Sequence, residues 1–252
     1  MMSLSNRPNE NKSNWEPTLL RLTAFPSPSA DFTNQKWWSE LVGELPEIQN
    51  IQPRTGEKVE VGQYRDANLV LNTHPARIDW QYGIDDPSPT ITRIPTLGNF
   101  YRSLDSFVDL MNRWLGTKDI PGLTRLAFGA ILIQPTVTHE TAYELLKSYL
   151  HFDIKLENTS DFLFQINRRR NTTTDIPSLL VNRLSKWSAM RFQQAQLLPV
   201  QQIGQSFYAA RLELDINTAV EFEEELPSSK LSEIFQELSE LGEEISVKGD
   251  IP

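Results

Sequence analysis

Three stretches of the chain carry residue types able to do chemistry. His139-Glu140 opens the H-E-x-x-H spacing, in which two histidines one helical turn apart hold zinc and the glutamate serves as base. Position 143 is Tyr143, so the second ligand is missing, and the pair is expected in the first turn of a helix with Glu140 complementing the dipole. Asp153, Lys155 and Glu157 alternate along one face of an extended segment, as in metal-dependent nucleases that bind magnesium and activate water. No second upstream acid is tied to that run by spacing. The third stretch is cationic: Arg168-Arg169-Arg170, then Arg183, Lys186 and Arg191, interleaved with Trp187 and Phe192. Between 151 and 200 seven basic residues stand against four acidic ones. Such a patch suits phosphates, with aromatic rings for base stacking. The preferred reading is an arginine-rich solvated loop that pairs with the chain's own acidic helix or with that of a second copy, because the whole molecule repels a polyanion outside the Debye length.

The remaining histidines, His74 ahead of Pro75 and His151 after a helical run, read as turn and capping residues. No G-x-x-x-x-G-K-S/T, G-x-G-x-x-G or G-x-S-x-G occurs. With Cys 0, thiolate metal sites, disulfides and cysteine nucleophiles are excluded. The residues therefore point to no catalytic group, no cofactor and no metal.

Charge is unevenly placed. The net charge of −9 over 252 residues resides in the last sixth of the chain: 212–252 carries twelve acids against Lys230 and Lys248, leaving 1–211 near balance. Within it Glu233, Glu237, Glu240 and Glu244 repeat along one side of a helical pattern with no lysine between Lys230 and Lys248. Like charges at this spacing oppose the helix by a few tenths of a kcal/mol per pair (~0.2–0.5). This row is the expected contact surface for a basic protein partner or for self-association, since charge complementarity supplies steering and specificity. Nucleic acid is the less favoured partner. The polar opening has no apolar core of signal-peptide type, and no stretch reaches the roughly 18 apolar residues of a membrane span, so a cytoplasmic protein without membrane contact is expected.

The elements that must position these groups follow from periodicity. Residues 1–17 are polar and aperiodic, an expected disordered arm, with structure starting at Thr18. Residues 19–25 read as a buried strand closed by Pro26-Ser27-Pro28-Ser29. Trp37, Trp38, Leu41, Val42 and Leu45 share a helical face, and Val59/Val61, Leu69/Leu71 and Ile78/Trp80/Tyr82 alternate as three strands. Leu104, Phe107, Val108, Met111, Trp114 and Leu115 trace an amphipathic helix. The second half repeats this order. Residues 123–134 are apolar on both faces, as in a central strand. Thr138 caps a helix bearing Ala142, Leu145, Leu146, Tyr149 and Leu150. Phe162, Phe164 and Ile166 alternate up to a loop at 168–177, and strands at 187–197 and 208–217 follow. A last helix starts at Ser228 or Ser229 and buries Leu231, Ile234, Phe235, Leu238, Leu241 and Ile245. The expectation is an α+β fold of two similar, pseudo-duplicated strand-helix-three-strand-helix units, 18–120 and 121–252, with mainly antiparallel sheets and helices packed on one face. The openings agree at residue level, Leu20-Arg21-Leu22-Thr23-Ala24-Phe25 against Thr124-Arg125-Leu126-Ala127-Phe128.

The strand–turn segment from Leu20 to Pro26, the strand from Leu123 to Ala130, and Leu212-Glu213-Leu214-Asp215-Ile216-Asn217 followed by the acidic helix resemble a sporadically distributed family of uncharacterised prokaryotic proteins of about this length. The resemblance touches both halves, and it brings no activity to transfer. The family's patchy occurrence implies an accessory role of the kind linked to defence, immunity or toxin–antitoxin systems. The expected function is thus a non-enzymatic accessory or regulatory protein acting through protein–protein contacts. The alternative is an RNA-binding or RNA-processing protein of two ferredoxin-like halves, against which stand a pI near 5.0 and a C-terminus lacking a glycine-rich loop.

Overall fold

Alternation in Ala67–His74 (β4) and Arg77–Gly83 (β5) folds as a hairpin closed by Pro75 and Ala76 in the computed structural model of the chain, which describes residues 14–28, 30–32, 35–84, 93–152, 155, 159–193 and 206–251. The same two-residue connection, Arg65 and Asp66, joins β4 to Glu57–Tyr64 (β3), with Arg65 at φ +55. A left-handed residue there matches the turn to the twist of its strands. Ile48–Gln52 (β2) pairs outside β3. Glu16–Pro26 (β1) lies on the other side of β5 and pairs along its whole length with Leu123–Thr136 (β6). Beyond β6 come Ser206–Thr218 (β9), Leu180–Gln193 (β8) and Leu163–Asn171 (β7). The result is a nine-stranded antiparallel sheet in the order β2-β3-β4-β5-β1-β6-β9-β8-β7. From the central β1–β6 pair the order runs β5-β4-β3-β2 to one side and β9-β8-β7 to the other.

Four helices, Trp37–Val42 (α1), Phe100–Leu115 (α2), His139–Tyr149 (α3) and Leu231–Lys248 (α4), pack on one face of this sheet. Register decides which residues they meet. Leu71, Trp80, Leu22, Phe128, Ile216 and Arg183 form one cross-strand row on the helix side, and all six are buried. Val70, Gln81, Arg21, Gly129, Asp215 and Leu184 form the neighbouring row on the other side. Among the described residues no helix packs on that second face. Trp38 stacks on Trp80, while Trp37 and Trp80 both meet Trp114 edge-on. Phe235 of α4 touches Phe107 of α2 and Phe128 of β6 at ring separations of 6.4 and 6.2 Å. One hydrophobic core therefore spans both halves, each fully buried large side chain contributing about 1.5–3 kcal/mol.

The antiparallel α+β architecture agrees with the sequence reading, and several boundaries move. Structure begins before Thr18: β1 starts at Glu16, and Trp15, 0 % exposed, donates its indole N–H to the Ser246 carbonyl at 2.9 Å. A lone aromatic in a polar run becomes core because Tyr149 and Trp187 supply its contact surface and Ser246 of the last helix its acceptor. Residues 1–13 lie outside the described residues. The first half has one strand more than expected, β2, whose five residues are all exposed and so lack the burial signature. The α1 helix ends at Val42 on left-handed Gly43, leaving Leu45 exposed. The expected loop at 168–177 is shorter, since β7 continues through Arg170 to Asn171. The next strand starts at Leu180 instead of 187, and 194–197 fall outside the described residues.

Candidate functional site

The acidic helix and the arginine run come together at the β7–β8 side of the helix layer. Helix α4 follows a short 3-10 turn, Ser228–Lys230, and lays its apolar stripe on β6 and β9. Its other side is less free than the sequence implies. Glu233 pairs with Lys230 at 2.6 Å and Glu244 with Lys248 at 2.8 Å. Glu240 is exposed and accepts from the Gln236 amide at 2.8 Å. Glu237 turns inward at the wall of the groove: only 6 % exposed, it accepts from the Thr172 hydroxyl at 2.5 Å and from the Thr173 backbone N–H at 2.7 Å. The β7–β8 connection turns two donors toward α4, and the carboxylate beneath them becomes their partner. Helical spacing cannot reveal this, because the donors lie more than sixty residues earlier.

The six cations do not form one patch. Because 168–170 is strand and not loop, its side chains alternate between faces. Arg168 and Arg170 fall in register with Arg183 and Val181 on the helix side, while Arg169 and Lys186 project from the opposite face. Arg168 grips Asp250 through Nε and Nη2 at 2.7 and 2.8 Å, and this bidentate bond holds its guanidinium above the ordinary value. Arg169 meets Glu221 at 2.7 Å; Glu221 is held below the usual carboxylate range by its own backbone N–H and then by Arg169. Lys186 reaches Glu213 at 2.9 Å. Arg191 donates to the Ser206 hydroxyl and lies over the Tyr208 ring. Arg183 is buried, with Nε and Nη2 lacking acceptors; desolvation lowers its affinity for the proton, opposed chiefly by Glu244.

Between α4 and the β7–β8 loop runs a groove of about 430 Å³ bounded by Arg170, Thr173, Glu237, Glu240, Leu241, Glu243, Glu244, Val247 and Lys248. Four carboxylates outnumber two cations there, so its field favours a positively charged guest. Residues that complete this arrangement without any sequence signal are Thr172, Thr173 and Asp250.

The other chemistry-bearing residues take structural places. Thr138 caps α3 reciprocally with Thr141, as expected of a cap, and Glu140 is held below its usual range by its own backbone N–H and then by the Thr138 hydroxyl. His139 packs on Tyr143, ring centres 4.5 Å apart. His74 Nδ1 accepts from the Ala76 N–H in the β4–β5 turn, and His151 Nε2 lies 3.0 Å from the Lys248 carbonyl. Asp153 and Glu157 lie outside the described residues, while Lys155 is exposed. Among the described residues no three His, Asp or Glu side chains converge as a metal site, and no helix is long and apolar enough to cross a membrane. Compared with family models, with curated proteins and with solved structures, the chain matches none.

Proposed function

We propose that this chain is a non-enzymatic accessory protein of the cytoplasm that acts by protein–protein contact, its groove beside α4 receiving a basic segment of a partner. The observation that carries the reading is the carboxylate set of Glu237, Glu240, Glu243 and Glu244 around one groove, with Glu237 already fixed by two hydrogen bonds. A fixed carboxylate loses little freedom when a cation arrives, and the surrounding field steers its approach. The accessory, defence-linked setting implied by the family resemblance suits a protein that works on a partner. The RNA reading has less support, since strand alternation divides the cations and Asp250, Glu221 and Glu213 occupy three of them. The mirrored strand order about β1 and β6 supports descent of the halves from one duplicated unit, with β2 added to the first.

The test uses two charge-matched variants. Glu240→Gln, Glu243→Gln and Glu244→Gln together alter the groove side of α4, and Glu223→Gln, Glu224→Gln and Glu225→Gln together remove the same charge from an exposed loop. Both are used as bait against lysate of the native host. A protein partner held by the parent and by the loop variant, lost from the α4 variant and released by salt, is the expected result. Equal capture by both variants, or capture of nucleic acid alone, overturns the proposal.

A further inference from the structure

The face of the sheet opposite the helices contains a second, unrelated feature at its centre. Arg21 of β1 lies directly opposite Gly129 of β6. A Cβ at Gly129 would stand 3.1 Å from Arg21 Nε and Nη2, so the guanidinium rests across the strand where a side chain is missing. Around it lies a depression of about 200 Å³. Its walls are Leu19, Ile131 and Leu184 together with Lys186, Glu213 and Asp215.

The carboxylates here are already engaged. Glu213 Oε1 is 2.9 Å from Lys186 Nζ and 3.3 Å from Arg211 Nη2, and Asp215 accepts from the Asn217 amide at 2.9 Å. Arg21 Nε is buried without an acceptor, and Glu213 Oε1, though ion-paired, accepts no hydrogen bond. Leaving a charged donor unmet is costly, and a planar guanidinium is met best by the two oxygens of a carboxylate. A doubly charged anion is disfavoured by Glu213 and Asp215 in the same wall. Three aliphatic side chains ask in addition for an apolar body.

We infer that this depression is a binding site for a short aliphatic monocarboxylate, held through Arg21 with its hydrocarbon part against Leu19, Ile131 and Leu184. This site is independent of the α4 groove, on the opposite face. Isotope-labelled full-length protein is titrated with isovalerate, with isoamyl alcohol as the uncharged analogue and with inorganic phosphate, and backbone amide shifts are followed by NMR. Saturable shifts at Gly129, Leu184 and Asp215 with isovalerate are expected, with no matching response to the alcohol and none to phosphate. Arg21→Met should weaken binding by about tenfold or more, and Arg21→Lys, which keeps charge but loses the fork, by less. Three results overturn the inference: no saturable shift, a response to phosphate equal to that of isovalerate, or undiminished binding by folded Arg21→Met. If Arg21→Met does not fold, the three-ligand comparison on the parent decides the question alone, and equal shifts from acid and alcohol count against it.

Discussion

Glu237 shows how a single side chain changes role between a helical wheel and a folded protein. Its carboxylate ends the β7–β8 connection by accepting from Thr172 and Thr173. Glu237→Ala removes the acceptor of a part-buried backbone N–H, so a loss of about 1–3 kcal/mol is expected, measured as a lower urea midpoint. Two tyrosines make a prediction about pH. Burial holds the phenols of Tyr82 and Tyr143 above their ordinary value, and at Tyr143 the charges of Asp161 and Glu140 add to it. Unfolded tyrosines ionise near ~10 while these resist, so their contribution is fully present below the unfolded pKa and is lost as pH rises through the folded values. Phenolate absorbance of the folded protein should lag behind that of the unfolded chain. Identical titration curves would contradict this.

At the scale of elements, the closeness of α4 to the sheet is set by a glycine. A Cβ at Gly242 would lie 2.7 Å from the Phe128 ring and 3.4 Å from Leu214. Alanine is better than glycine in a helix by roughly 1 kcal/mol. The Phe128 ring is fully buried and held edge-on by Phe235, so it cannot yield without disturbing the core. Overpacking of this kind costs about 1–3 kcal/mol, and Gly242→Ala is therefore expected to lower the melting temperature despite its gain in propensity. The last strand, β7, also takes meaning from its place. Three arginines on an edge strand discourage further strand addition, while alternation hands two of them to the helix side.

In the whole molecule, the central β1–β6 pairing and the contact of α2 with α4 join the halves through one sheet and one core. A fragment ending at residue 120 would leave the β6-facing edge of β1 unpaired and Phe107 without Phe235. It is expected to lack a cooperative unfolding transition, whereas the full chain should unfold in one step by circular dichroism in urea. Trp15 closes the assembly from the other end, packing on Tyr149 and Trp187 and bonding Ser246. Trp15→Ala should cost about 3–5 kcal/mol, detectable in the same experiment.

Periodicity is a local property, and so element types were legible in the sequence: the alternation of 208–217 became β9, the stripe from Leu104 to Leu115 became α2, and Thr138 capped α3. The apolar run at 123–134 announced a central strand because neither of its faces tolerates open water. Pairing between distant residues has no such local trace. Asp250 meets Arg168 across 82 positions, and Trp15 meets Ser246 across 231. Exposed β2 leaves no trace in the sequence because a strand with both faces in solvent needs no hydrophobic pattern. The arginine run was visible as charge, but whether it formed one patch or two depended on its being strand or loop, which pairing with β8 decided. The acids of α4 were likewise visible as a row. Only the fold determined which of them remained at the surface, because the donors that draw Glu237 inward belong to a loop brought there by the sheet.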